Sequence, residues 1–255
     1  MNWTHLCTLF LLGFFPYKGF CQHSTVSGHL TGIQDGKYIY LTAYPLEQGI
    51  HYQDSAKITN GAFSLQLSIP EGEGSLYYIS AVPMQLGGEG QPIEPIQFSH
   101  RWKLIYLQQG NAMVDGDANY LDKAVYSGEP YMQEENDYFA RQHTNTLWDK
   151  FVNSMDEAYA RGENIHIGRP LKEDSTDEAM LLGLFRRKQI AETWVQAHPN
   201  SPYSAVVIRN DISSLFDDGT MEKEKYFHLL TPAAKNNKVG KLLDKLLQAR
   251  LQQTQ

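Results

Sequence analysis

The sequence predicts an α+β fold, with an N-terminal antiparallel β-sandwich or open barrel followed by a C-terminal helical region. Three observations lead to this prediction. Apolar residues alternate with polar ones in the first half, glycine and proline separate the short apolar segments there, and the second half has apolar residues at helical spacing. The change lies near residue 117. We therefore expect a signal peptide at 1–21, a β-sandwich domain at 22–117 and an α-helical region at 118–255.

The chain begins with a short apolar segment. Residues 6–15 (LCTLFLLGFF) carry no charge and are too short to cross a bilayer, which takes about 20 apolar residues, but they have the length of a signal-peptide core. Cleavage after Cys21 would put Gly19 and Cys21 at the two positions that require small side chains. We expect residues 1–21 to be removed and the protein to be exported, with the periplasm as its first expected location.

Two other interpretations of this segment stay open. Cys21 could be lipidated as in bacterial lipoproteins, which would anchor the protein to a membrane, although the bulky Phe20 is unusual before such a cysteine. The segment could also remain uncleaved as an apolar strand or anchor. Both cysteines, Cys7 and Cys21, lie in it, so a chain cut after Cys21 has no thiol for disulfides or cysteine chemistry.

The charge balance excludes one class of partner. The whole chain has 22 basic and 29 acidic residues; without Lys18, the one charged residue in 1–21, the balance is 21 − 29 = −8. Nucleic-acid binding requires a basic surface, so we expect no nucleic-acid partner. The hydrophobic fraction of 42% fits a packed globular protein.

The clearest strand in the first half covers residues 62–69. Phe63, Leu65 and Leu67 alternate with polar residues, which puts them on one face, and Asn60-Gly61 before them is a strong signal for a tight hairpin. Further strands are predicted at 25–30, 36–43, 50–57, 75–82, 102–108 and 110–117. Residues 84–95, rich in glycine and proline, predict a long loop.

The second half contains five predicted helices. The longest covers 129–162 and would place these aromatic and apolar residues on one face: Tyr138, Trp148, Phe151, Met155 and Tyr159. Ser175 and Glu178 have the spacing of a capping box, which begins a helix that runs to about Ala197. The remaining helices are predicted at 203–216, 221–230 and 239–251.

Several motifs together resemble a known family. These are the segments 28–32 (GHLTG), 36–41 (GKYIYL) and 54–64 (DSAKITNGAFS) in the β half, and 185–204 and 226–232 in the helical half. They resemble an exported bacterial domain of unknown function, with its helical linker, that precedes a thioredoxin-like domain of the thiol-disulfide interchange type. The resemblance implies the fold and an envelope location. No Cys-x-x-Cys pair occurs in the sequence, so the activity of the thioredoxin fold is not implied for these residues.

Asp54-Ser55 is the pair that most invites a catalytic hypothesis. His51 is close along the chain, but on an extended strand it points to the face opposite Asp54. Such residues before a turn usually bond local backbone groups. We therefore predict no catalytic residue and no enzymatic activity.

Two charged clusters could bind ligands. Glu134, Glu135 and Asp137 could share a cation, but a solvated helix start explains them equally well. Arg186-Arg187-Lys188 could bind a phosphate or acidic partner, but is more typical of the wet face of an amphipathic helix. The histidines lack ligand spacing. We predict no metal site, no cofactor-binding residue and no cofactor.

Tyrosines are concentrated on the predicted strands. Tyr38 and Tyr40 share one face of their strand, opposite Ile39 and Leu41, and would stack on sugars or a protein if that face were exposed. Tyr77 and Tyr78 point to opposite sides, so at least one of them should be buried. We favour core or domain-interface packing for the tyrosines as a group.

These observations predict a non-enzymatic exported cell-envelope domain that binds or scaffolds a protein partner. The first alternative is an accessory of thiol-disulfide exchange that works with a separate thioredoxin-like protein. The second is a glycan-binding module, which would display two or more exposed, coplanar tyrosines. A membrane partner is expected only if Cys21 is lipidated.

Overall fold

A computed structural model describes residues 23–44, 53–68, 74–84, 100–108, 110–128, 131–161, 175–212 and 220–253. In these segments eight strands precede seven α-helices, which confirms the α+β fold with a sandwich-like arrangement. The predicted signal peptide, Cys21, His51, Tyr52 and most of the 84–95 loop lie outside the described residues. No helix of the described part is both long and apolar enough to cross a bilayer.

The strands form two four-stranded sheets. One has the order β4-β1-β7-β8 and the other the order β3-β2-β5-β6. All pairs are antiparallel except β1 with β7, which run parallel. The strands are β1 (His23–Thr31), β2 (Tyr38–Ala43), β3 (Gln53–Lys57), β4 (Ala62–Ser68), β5 (Ser75–Ser80), β6 (Trp102–Leu107), β7 (Asn111–Asp117) and β8 (Val125–Ser127).

The inner faces of the two sheets form the main core. Each strand contributes alternate apolar residues to it, as period-two patterning requires. The first sheet buries Val26, Leu30, Phe63, Leu65, Leu67, Ala112 and Val114, and the second buries Ile39, Leu41, Tyr77, Ile79 and Ile105.

Asn60-Gly61 forms the predicted tight turn but not a simple hairpin. Both residues have positive φ, 51° and 74°, and Thr59 and Ala62 exchange both backbone hydrogen bonds at 3.0 Å. The strands on either side then separate, since β3 pairs with β2 and β4 pairs with β1. The turn therefore connects the two sheets, and the apolar residues of β4 face the common core from the sheet opposite β3.

The β region extends beyond the predicted boundary at 117. A short 3-10 helix, Leu121–Lys123, leads into β8, which pairs with β7 through Met113, Val114 and Asp115. A strand of three residues is too short for alternation to reveal it in the sequence. The sandwich therefore ends at Ser127 rather than at 117.

The helices are α1 (Met132–Gln142), α2 (Thr146–Ala160), α3 (Ser175–Ala197), α4 (Ser204–Asp211), α5 (Thr220–Leu229), α6 (Pro232–Lys235) and α7 (Lys238–Gln253). The prediction of one helix over 129–162 is wrong, because residues 143–145 separate α1 from α2. Asn145 produces this break: its side chain accepts from the Trp148 amide at 3.3 Å and donates to the Gly183 carbonyl at 2.7 Å. Such side-chain capping begins a new helix.

The split also divides the predicted aromatic face. Tyr138 joins the main core, whereas Phe151, Val152 and Met155 of α2 form a small second cluster with Trp148 and Met180. The helices cover part of the outer face of the second sheet, and Arg209 of α4 lies 4.3 Å from the ring centre of Tyr44 there. Outward side chains of the first sheet, such as His29, Met113 and Asp115, are exposed.

The parallel contact between β1 and β7 yields the first prediction. A Cβ on Gly28 would lie 1.9 Å from the Val114 carbonyl oxygen, which is backbone and cannot rotate away. Gly28→Ala should therefore lower the free energy of unfolding by about 3 kcal/mol, as overpacking does. Urea denaturation measures this. Ser27→Ala, its neighbour on the same strand, is the control and should change stability by less than about 0.5 kcal/mol. Equal midpoints for the two variants would contradict the tight approach.

Candidate functional site

A buried lysine lies where α1 closes the open side of the sandwich. Lys103 is on β6, the last strand of its sheet, and its register places it beside Ile79 on the inner face. Its ammonium lies 3.8 Å from the ring centre of Phe139 and 4.0 Å from that of Tyr126, and 3.5 Å from the Ala124 carbonyl oxygen. Contacts between a cation and aromatic rings strengthen when water is excluded.

Glu135 on α1 is the carboxylate with the largest charge effect on Lys103. Burial lowers the pKa of Lys103 to about 8, although the nearby Glu135 and Asp122 carboxylates oppose this change. Burial raises the pKa of Glu135 to about 8, against the effect of the Lys103 ammonium. Neither carboxylate oxygen of Glu135 has a hydrogen-bond partner within the described segments. The mutual attraction of the two charges favours their ionised forms, and burial, the larger effect, opposes it.

Asn136 attaches α1 to the free edge of β8. Its amide oxygen accepts from the Tyr126 backbone amide at 3.1 Å, and its amide nitrogen donates to the Tyr126 carbonyl. The side chain thus replaces a neighbouring strand and covers the exposed edge. Next to it, the Tyr131 hydroxyl accepts from the Gln108 backbone amide at 2.9 Å.

A histidine-aspartate pair connects the sandwich to α2. His100 is buried, and its Nδ1 lies 2.6 Å from Asp122 Oδ2 while its Nε2 lies 3.1 Å from Asn153 Oδ1. Burial opposes the charged ring, but the hydrogen bond to Asp122 and its charge outweigh this effect and raise the pKa of His100. Two oxygen acceptors suit an imidazolium, which donates from both nitrogens.

The histidine-aspartate pair has the geometry of an acid-base dyad, but its second nitrogen faces an amide oxygen rather than a hydroxyl or thiol. A nucleophile would have to occupy that position for acyl-transfer chemistry. The backbone amide of His100 also donates to Asp156 Oδ2 at 3.3 Å, so the imidazole ring and the backbone of His100 both bind residues of α2. The arrangement attaches α2 to the residues before β6.

A third network joins three helices around an aromatic cluster. The Tyr138 hydroxyl donates to Asp211 at 2.5 Å, and Arg187 donates to the other oxygen of Asp211 at 2.6 Å. Trp194 and Tyr203 contact the Tyr138 ring edge to face, at 5.3 and 6.0 Å between ring centres. The network therefore holds α1, α3 and α4 together.

The charged clusters of the sequence lie differently from expectation. Glu135 is buried rather than on a solvated face, and Asp137 pairs with Arg141 at 3.0 Å and accepts from the Trp194 indole at 3.3 Å. Arg187 forms the ion pair with Asp211, so residues 186–188 do not form a single solvent-exposed face of the helix. Glu134 is half-buried. Among the described residues, no group of three or more His, Cys, Asp or Glu side chains is placed to hold a metal ion.

Asp54 and Ser55 lie on the edge strand β3. Asp54 Oδ1 accepts from the Ser55 backbone amide at 2.7 Å, which is the local arrangement that the sequence favours. Tyr77 and Tyr78 are both buried, and Tyr78 contacts Tyr44 and Trp102 under the helices. Tyr38 and Tyr40 instead face outward from β2.

Sequence reasoning missed Lys103 and His100. Lys103 occupies an inward position in the apolar strand 102–107, and this break in the pattern is the one signal that could have identified it. His100 carries no such signal, because its partners Asp122 and Asn153 are 22 and 53 residues away along the chain.

Truncating one member of the buried pair should be costly. Lys103→Met or Glu135→Leu alone leaves a buried group uncompensated and should lower the free energy of unfolding by about 3 kcal/mol, whereas the double variant should lose less than the sum. Lys123→Met is the control, because its pair with Asp149 is partly exposed and worth about 0.5 kcal/mol. Additive losses in urea denaturation would show that the two charges do not interact.

The His100–Asp122 pair predicts a pH dependence. A raised folded pKa stabilises the protein below the unfolded value of 6.5, and this stabilisation disappears as pH rises through the folded pKa. His100→Gln should therefore cost about 2 kcal/mol below pH 6 and progressively less above pH 6.5. Denaturation at several pH values measures this. The control is His228→Gln, since His228 is exposed beside Glu224. A cost that is independent of pH would mean that His100 is neutral.

Comparison with known proteins identifies the N-terminal part. Residues 24–135 match the family model described as a domain of unknown function, DUF4369, a match that contains all eight strands and the first turn of α1. No curated protein matches the chain, and no solved structure matches it. Residues 24–135, which hold the β-sandwich and the residues that connect it to α1, are therefore similar to the DUF4369 family.

Proposed function

We propose that this protein is an exported cell-envelope domain that binds or scaffolds a protein partner and performs no catalysis. The observation that carries the proposal is an exposed pair of tyrosines on β2. Tyr38 is 43% exposed and Tyr40 is half-buried, and their ring centres are 6.4 Å apart. Tyrosine is favoured in protein interfaces because it buries a large area with little loss of conformational freedom.

The neighbours of the two tyrosines support a binding surface. β3 is the edge strand of this sheet, and its register places Lys57 beside Tyr38 and Ser55 beside Tyr40, both exposed. An aromatic strip with polar groups at its border is the usual composition of a non-obligate protein interface. The buried side chains beneath, Ile39 and Leu41, fix the strand that carries the strip.

The use of the ionisable groups also favours binding over catalysis. Four residues with shifted pKa values each lie between two elements that they hold together. These residues are Lys103, Glu135, His100 and Arg187. Perturbed groups often mark active sites, but they also occur in structural ion pairs. The Lys103 side chain and the Glu135 side chain of α1 are buried, and they are therefore inaccessible to a substrate.

A glycan ligand is the second candidate. The same two tyrosines, with the Ser55 hydroxyl beside them, could accept a sugar ring. The rings are inclined by 41° rather than coplanar, which suits the irregular surface of a protein better than a flat sugar face. We therefore place the protein partner first. An accessory role in thiol-disulfide exchange is a special case in which the partner is thioredoxin-like.

The experiment compares affinity capture from envelope extract by three forms of the protein. The wild type and Met113→Ser, a control with similar exposure on the outer face of the other sheet, should retain the same partner, while Tyr38→Ser/Tyr40→Ser should lose it. Mass spectrometry identifies the partner, and circular dichroism checks the fold of each form.

Equal capture by all three forms would contradict the tyrosine surface. Binding of the wild type, but not of the double variant, on a glycan array would favour the second candidate. Recovery of a thioredoxin-like protein would favour the accessory role.

A further inference from the structure

Side chains occupy three of the four edges of the two described sheets. Asn136 covers the edge of β8, and the Tyr131 hydroxyl binds the backbone amide that follows β6. On β3 the Asp54 carboxylate binds the Ser55 amide. Side chains in such positions hinder the pairing of another strand with the edge. The fourth edge is β4, and no described residue covers it in this way.

The backbone groups of Ser64 and Gln66 point away from β1. The Leu30 amide donates to the Gly61 carbonyl at 2.8 Å, so the odd-numbered residues of β4 bond to β1. Bonding directions alternate along an antiparallel strand, and the even-numbered residues therefore direct their amides and carbonyls to the other side. Ala62 uses its groups in the turn described above. Ser64 and Gln66 thus present amides and carbonyls that have no partner in the described part of the chain.

The side chains of β4 do not oppose the addition of a strand. The strand contains no proline and no charged residue, which are the usual means of protecting an exposed edge. Ser64 and Gln66 are exposed, whereas the alternate apolar residues of the strand face the core. A regular and uncharged edge of this kind can pair with another strand through its backbone.

The ends of the sheet indicate which strand is added. A foreign strand would cover β4 but would leave its own second edge open. A second copy of β4 leaves neither edge open, because each one satisfies the other. The joined sheet of eight strands then ends at β8 on both sides, where Asn136 covers the edge. A two-fold interface requires only one self-complementary element.

We propose that this protein forms a homodimer in which the β4 strands of two copies pair antiparallel about a two-fold axis at Leu65. Leu65 is the middle residue of β4, so this axis gives the longest overlap. Ser64 then pairs with Gln66 of the partner subunit, and both backbone hydrogen bonds of each such pair form. The interface lies on the sheet that does not contain β2, so it is independent of the tyrosine surface.

The size and charge of this edge set the expected behaviour of the dimer. A stable interface buries about 800 Å² on each partner, and one strand edge supplies well under that area. The dimer should therefore dissociate on dilution. Added salt should not weaken it, because no charged side chain lies on β4.

The test places charges on the edge in two arrangements. Sedimentation velocity over a range of concentrations gives the dimerisation constant of the full chain, expressed with its N-terminal segment so that any processing occurs. Ser64→Lys/Gln66→Lys puts lysines opposite one another twice and should weaken dimerisation at least about tenfold. Ser64→Lys/Gln66→Glu puts a lysine opposite a glutamate twice, and it should dimerise at least as tightly as the wild type.

Asn111→Lys/Met113→Lys is the control, because both residues are exposed on the same sheet but lie on β7, two strands from the edge. It adds the same charge as the double-lysine variant of β4 and should dimerise like the wild type. Circular dichroism and thermal denaturation verify that each variant is folded. A wild type that stays monomeric at several hundred micromolar would overturn the proposal. So would a double-lysine variant of β4 that dimerises like the wild type, or a lysine-glutamate variant as weak as the double-lysine one.

Discussion

The structure depends on burying the Lys103 ammonium. Its position on β6 points into the sandwich, and an unpaired charge there would destabilise the fold by several kcal/mol. The rings of Tyr126 and Phe139 and the Ala124 carbonyl surround it, and Glu135 acts on it through its charge. These groups come from α1, from β8 and from the residue before β8. The sandwich edge can therefore be closed only when α1 is in place.

Because of this requirement, the helical region is not a separate unit that is merely appended to the sandwich. α1 supplies Glu135 to the sandwich, and Tyr138 on the same helix reaches the Asp211–Arg187 pair, which connects it to α3 and α4. His100 connects α2 to the residues before β6 in the same manner. The match to the DUF4369 family, over residues 24–135, ends at Glu135 itself. Both Lys103 and Glu135 thus lie within the matched residues.

Local patterns predicted much of the fold. The alternation of Phe63, Leu65 and Leu67 identified β4, and the capping box at Ser175 identified the helix that runs to about Ala197, because both depend on neighbours along the chain. What depends on distant residues was not predictable: the pairing of β4 with β1, the three-residue β8, and the break at Asn145, whose side chain bonds to Gly183. The same holds for the candidate site. The sequence grouped Glu135 with Glu134 and Asp137, as a possible cation site or a solvated helix start, since Lys103, whose charge acts on it, lies 32 positions earlier.

The parallel pairing of β1 with β7 also affects how the chain can fold. Val26 is paired with Leu65 and Ala112, so the central strand of its sheet finds its neighbours about 40 and 86 residues later. Contacts so far apart in sequence fold slowly, because a long loop must close before they stabilise anything. During synthesis, β1 cannot enter its sheet until β4 and β7 have emerged, and Lys103 stays solvated until α1 follows. A chain with this order of assembly leaves β1 unpaired until most of the sandwich has been synthesised.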